Sequence, residues 1–160
     1  MKKLIYLFAS LALMAVACND NSDSGEENDF GDIPFTEYPL EGTPGEEYSA
    51  SWVNLDYDEK NYESKILVIN SSEELKKYVE GDYPPVDFSK KTLLLAIGTA
   101  PNKLSNKIIQ SLQQLSAGKY KWSIEIKLGT ADIMQDWTVA ILTDKLSAES
   151  KVELNVTYIY

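Results

Sequence analysis

From 119 to 128 the chain reads Lys-Tyr-Lys-Trp-Ser-Ile-Glu-Ile-Lys-Leu, with an apolar residue at every second position. Period two is the side-chain repeat of a β-strand and does not fit the 3.6-residue repeat of a helix. Tyr120, Trp122, Ile124, Ile126 and Leu128 therefore share a buried face, and Lys119, Lys121, Ser123, Glu125 and Lys127 a solvated one, as in a half-buried antiparallel strand. Val152, Leu154, Val156, Tyr158 and Tyr160 repeat the pattern, interrupted only by Ile159. Segment 107–115 (KIIQSLQQL) fits either period, and its neighbours favour a strand. Ser116-Ala117-Gly118, between two such runs, reads as a hairpin turn.

Three further runs are apolar throughout: 65–69 (KILVI), 92–97 (TLLLAI, closed by Gly98) and 136–143 (DWTVAILT). Runs of this length suit strands covered on both faces. One helix is expected between Ser71 and Gly81. Ser71 and Glu74 have capping-box spacing, Leu75, Tyr78 and Val79 fall on one side, Gly81 follows the end, and Pro84-Pro85 forbids continuation. The fold class is α+β: a mostly antiparallel twisted sheet of about five to seven strands with one packed helix. Trp122 and Trp137 are expected in its core.

The N-terminus follows other rules. Lys2 and Lys3 precede an uninterrupted run of apolar and small residues at 4–17. As a helix that run rises about 21 Å, short of the ~30 Å hydrocarbon core, so it reads as a secretion signal and not a span. The run ends in Ala15-Val16-Ala17-Cys18, which resembles a bacterial lipobox, with Ala15 where the pattern prefers Leu. Cys18 is the only cysteine, so it has no internal disulfide partner. The lipobox resemblance implies that it becomes the mature N-terminus and carries acyl chains, each buried CH₂ contributing about 0.8 kcal/mol to anchoring. The competing reading is an ordinary signal peptide cut elsewhere.

These features divide the chain into a signal peptide (1–17), a lipidated acidic tether (18–49) and one globular domain (50–160). The tether holds ten carboxylates and no lysine, whereas the globular part carries fifteen carboxylates against thirteen lysines, a net of −2. Rich in Gly, Pro, Ser and Asn, 19–49 is too poor in apolar surface to offset its ordering entropy and is expected to be a leash. Asp20 to Gly25 imitates the start of a calcium loop, but the twelfth position holds Gly31 and not Glu. No metal or other cofactor is expected. All fifteen cationic residues are lysines, and an acidic chain without arginine lacks the basic footprint of a nucleic-acid binder.

With no histidine, Ser-His and Cys-His catalysis and zinc held by histidine are excluded, and one cysteine builds no structural zinc site. Carboxylates remain. Asp56-Tyr57-Asp58-Glu59 is the densest cluster in the globular part, readable as a calcium or glycosidase pair or as a solvated turn, the reading favoured here. Trp52, Tyr57 and Tyr62 flank it. Either they form a stacking platform for a glycan or a protein partner, or Trp52 belongs to the core. Ser89-Lys90-Lys91 reads as a turn with solvated lysines, not a Ser-Lys dyad. The candidate contact residues are thus Trp52, Asp56, Tyr57, Asp58 and Tyr62, none of them catalytic.

Taken in order, VINSSEELKKYV, VDFSKKTLLLAIG, KYKWSIEIKL, WTVAILTDKL and VELNVTYIY resemble a group of small lipoproteins of the Bacteroidota, over about 51–160. More distantly, the strand, the Ser-x-x-Glu helix, VDFSKK and the apolar strand resemble the C-terminal domain of the PrcB protease-complex regulator; Thr99-Ala100-Pro101-Asn102 stands where that domain has a Gly-Gly-Tyr turn. The resemblance implies a non-catalytic lipoprotein of the outer membrane that binds a protein partner, such as a protease. Acidic residues close behind the lipidated cysteine resemble the export signal of surface lipoproteins in that group, which implies exposure at the cell surface. A periplasm-facing lipoprotein and a glycan-binding accessory protein are the alternatives.

Overall fold

The computed structural model describes residues 30–40, 50–55 and 63–160. Cys18, Asp56, Tyr57, Asp58 and Tyr62 lie outside them. The described chain runs β1 (Phe35–Glu37), β2 (Ser51–Trp52), β3 (Lys65–Ile69), α1 (Ser72–Leu75), β4 (Val79–Glu80), β5 (Lys91–Ala100), β6 (Leu104–Ser116), β7 (Lys119–Leu128), β8 (Gln135–Asp144) and β9 (Lys151–Ile159). The architecture is a mostly antiparallel β-structure with a single short helix. It has nine strands among the described residues, not five to seven, in sheets ordered β1-β8-β5-β3, β6-β7-β9 and β2-β4. The extra strands are the two- and three-residue pairings β1, β2 and β4, too short to carry a period.

The four-stranded sheet lies in the middle of the molecule. Leu94, Ala96, Trp137 and Ile141 face the three-stranded sheet and pack on Leu112, Trp122, Ile124 and Ile126. Leu93, Leu95 and Ala140 face the other way, under Tyr38, Leu75 and Val79. This double cover is why β5 reads as unbroken apolar sequence: Leu93, Leu94 and Leu95 are each 0% exposed. Burying one such side chain is worth about 1.5–3 kcal/mol. The three-stranded sheet has one dry face only, and its strands alternate accordingly.

Gly98 does not close β5. The strand continues through it to Ala100, and the glycine serves packing: a Cβ there would sit 2.5 Å from Cζ2 of Trp137. The 107–115 segment is the middle of β6, a strand. The β6–β7 hairpin turns at Ala117-Gly118, with Gly118 at φ 68°. β7 and β9 pair in parallel. Parallel neighbours need a crossover, and here the crossover is β8, which lies in the other sheet.

The helix is shorter than expected. Ser71 does cap it, its Oγ accepting from Glu74 N at 3.1 Å, and a Glu74 carboxylate oxygen accepts from Asn70 N at 2.7 Å. It ends at Leu75 because the backbone beyond is claimed by tertiary pairing. Val79 pairs with Trp52, and Val53 N donates to Tyr78 O at 2.8 Å.

Residues 30–40, assigned by composition to the leash, belong to the fold. Gly31 O and Asp32 meet β6 at Gln114 and Gln113, Ile33 N donates to Leu112 O, and after Pro34 the chain joins β8 of the opposite sheet. Carboxylates hide the reason. Ile33 and Phe35 pack into the core between the sheets, and Tyr38 and Leu40 are 4% and 7% exposed in the second core.

Candidate functional site

Strand β1 and the residues before it close one side of the seam between the two large sheets. They close only part of it. Phe35 to Glu37 pair with Thr143 to Ile141, and Tyr38 N donates to Ala140 O at 2.9 Å. Pro39 then fixes the backbone, the chain bends at Leu40, and the Leu40 side chain enters the second core. Below that point the seam is open as a cleft of about 510 Å³. That volume lies within the ~300–1,000 Å³ of ordinary ligand sites.

Both sheets line the cleft. Leu104, Ser105, Ile108 and Gln110 come from β6, Gln135, Thr138, Val139 and Ala140 from β8, and Glu37 and Pro39 from the end of β1. Lys103 stands at the far end, its N–H donating to Ala131 O at 3.0 Å, and Leu104 N donates to Gln135 Oε1 at 3.0 Å. The first bond ties together the loops that lead into β6 and β8, and the second joins β6 to β8.

One wall is unpaired backbone. Because Ala140 O accepts from Tyr38 N, the peptide groups of Ala140 point towards β1, and so do those of Thr138 and Asp136, two and four residues earlier. Residues 137, 139 and 141 turn theirs to β5. β1 ends before it reaches Thr138, so among the described residues no backbone hydrogen bond is made on that edge by Thr138 or Asp136. The opposite wall holds Gln110, an inward-facing polar residue in a row that also holds Ile108 and Leu112. Its Oε1 is buried without a hydrogen-bond partner.

Behind the cleft β8 is held rigidly. Trp137 Nε1 donates to the Tyr158 hydroxyl at 3.0 Å, Tyr158 donates to Thr99 O at 2.9 Å, and Thr99 Oγ1 donates to Asp136 at 2.5 Å. The Trp137 ring fills the space left by Gly98.

Of the contact residues expected from sequence, Trp52 alone is described. It is half-buried against the second core, 6.4 Å from Tyr38 between ring centroids, so the structure gives it a packing role away from the cleft. Ser89 and Lys90 stand in a turn, where Asp87 accepts from the Ser89 hydroxyl and amide and Lys90 pairs with Asp87 at 3.4 Å; Lys91, expected in that turn as a solvated lysine, instead opens β5 and pairs with Asp144 at 2.8 Å. The bonds to Asp87 hold its carboxyl below its ordinary range, the Ser89 hydroxyl first among them. Among the described residues no group of three His, Cys, Asp or Glu is placed to hold a metal, and no helix is long and apolar enough to cross a membrane. The cleft has no local signature in the sequence because it arises where a strand stops early, just before Pro39.

Comparison with protein-family models, with curated proteins and with solved structures finds no match to this chain.

Proposed function

We propose that this chain is a lipid-anchored, non-catalytic binding module of the outer membrane, displayed at the cell surface, whose folded part takes a protein partner in the open seam between its sheets. The observation that carries the reading is the make-up of that seam. It offers amide, hydroxyl and backbone groups from two rigid sheets, with Glu37 as the one lining carboxylate and Lys103 as the one lining cation among the described residues. That set suits hydrogen-bonded recognition; acid–base hydrolysis on a carboxylate pair needs a second acid across the cleft.

Geometry supports the tethered arrangement. The chain enters the fold beside Gln113 and Gln114, near one end of β6, and the cleft lies beside Leu104 to Gln110, towards the other. At about 3.4 Å per residue, Leu104 and Gln114 are roughly 34 Å apart. An anchor upstream of Phe30 is thus joined to the domain at a point remote from the cleft. A protease or other envelope protein is the partner class that the resemblance to the PrcB domain implies. Crosslinking in intact cells with the full tethered chain, against an unrelated lipoprotein, is expected to capture a specific protein. A glycan array bound at micromolar concentration, or a hydrolytic turnover lost on Asp56→Asn, overturns the reading.

A further inference from the structure

We infer that the cleft binds its partner by strand addition: an extended peptide segment pairs with the open edge of β8 at Thr138 and Asp136, continuing the ladder that β1 begins. This rests on the protein-binding reading above and names the partner's chemistry.

Three observations converge on it. First, the edge presents N–H and C=O groups of alternate residues, about 6.8 Å apart, and a polyamide chain in extended conformation matches that spacing along its whole length. Second, Gln110 Oε1 is buried in the facing wall with no partner, and a buried acceptor without a donor is costly. Gln110 also lines the cleft, so a turn of its side chain towards the cleft would let a guest side chain carrying an N–H or O–H (Asn, Gln, Ser or Thr) supply that donor. Third, the two charged lining residues stand at opposite ends. Glu37 lies where β1 leaves β8 at Ile141, and Lys103 lies beside Leu104 and Gln135. The edge left free between them, from Gln135 to Val139, is about 14 Å of strand, room for a guest of roughly four or five residues. Its cationic end is placed at Glu37 and its acidic end at Lys103.

Among the described residues the edge is left open. Pro39 and the burial of Leu40 draw the chain's own strand away after one more hydrogen bond, that of Tyr38. Meanwhile Thr99 clamps the Asp136 carboxylate and Trp137 is bonded to Tyr158, which keeps the edge straight and its groups pre-aligned.

The test uses the full chain in detergent micelles and a displayed library of random octapeptides. An enriched peptide is resynthesised with single N-methyl groups along its length. Strand addition predicts loss of binding, by about tenfold or more, at alternate positions only, because alternate N–H groups face β8. Thr138→Pro is expected to weaken binding by a similar factor while leaving the melting temperature unchanged, since that N–H faces outward and proline is accepted on a free edge. Gln110→Leu is expected to weaken binding several-fold. Bound peptide should slow amide exchange at Thr138. A library that yields no binder, an N-methyl profile without alternation, or full binding by folded Thr138→Pro overturns the inference; the N-methyl profile reads the edge even where the variant fails to fold. A partner crosslinked in cells that Thr138→Pro still captures also overturns it and leaves the binding-module reading standing. Alternating peptide binding without any cellular protein partner upholds the edge and overturns that reading.

Discussion

At the scale of single residues, the two buried tryptophans make a controlled comparison. Trp137 and Trp122 are 4% and 0% exposed, yet Trp137 Nε1 donates to Tyr158 while Trp122 Nε1 is buried without a partner. Replacement by Phe leaves a void at either site. At 122 it also removes an unsatisfied donor, whereas at 137 it breaks the chain of bonds through Tyr158 to Thr99. Trp137→Phe should therefore cost about 1–3 kcal/mol more than Trp122→Phe in urea unfolding. Gly98→Ala should cost about 1–3 kcal/mol, because its Cβ would lie 2.5 Å from the Trp137 ring, and near-UV dichroism should change as that ring moves. Asp87 gives a pH prediction. Its carboxyl is held low by Ser89, so its contribution to stability is complete above the unfolded-state pKa and is lost as pH falls through the lower folded value. Titration followed by NMR should place its midpoint below the ordinary carboxylate value, and Ser89→Ala should bring it back up.

Among the elements, the segment from Phe30 to Leu40 decides both stability and the site. It stitches β6 to β8, buries Tyr38 and Leu40, and by stopping short leaves the cleft. A fragment starting at residue 50, the boundary that composition suggests, should be markedly less stable than one starting at 30. Tyr38→Ala alone should cost about 3–5 kcal/mol by chemical denaturation, the range for large buried aromatics. This element also marks where sequence reasoning stopped. Long strands were legible because each face of β5, β7, β8 and β9 meets a uniform environment, which imposes period two or an unbroken apolar run. Trp122 and Trp137 were legible as core for the same reason. β1, β2 and β4 are held by partners distant in sequence, and pairings of two or three residues leave no period to read. Helix α1 kept its cap but lost its second half to the pairing of Val79 with Trp52. A cleft made by the end of one strand and the edges of two others has no local signature at all. The polar Gln110 in the inward row Ile108, Gln110, Leu112 hinted at it only once the row's facing was known.

For the molecule as a whole, anchoring and binding are expected to be separable. The acyl chains proposed on Cys18 act at one terminus, and the fold is entered at Phe30 beside the hairpin end of β6, about 34 Å along that strand from the level of Leu104. Removing the lipid is expected to leave the residues lining the cleft in place. Cys18→Ser should move the chain from the membrane pellet to the soluble fraction, as expected when the acyl chains supply the membrane affinity. Its melting temperature should stay within about 2 °C of the anchored form, as expected of a position in the proposed tether, because 1 kcal/mol shifts a domain of this size by only about 4 °C. Peptide affinity should likewise be unchanged in solution. Capture of a partner in cells should nevertheless fall, since tethering confines the module to the surface where its partner lies and raises their effective concentration. A Cys18→Ser chain that still pellets with membranes would place the anchor elsewhere, and one that loses peptide affinity in solution would mean that the tethered terminus contributes to the cleft.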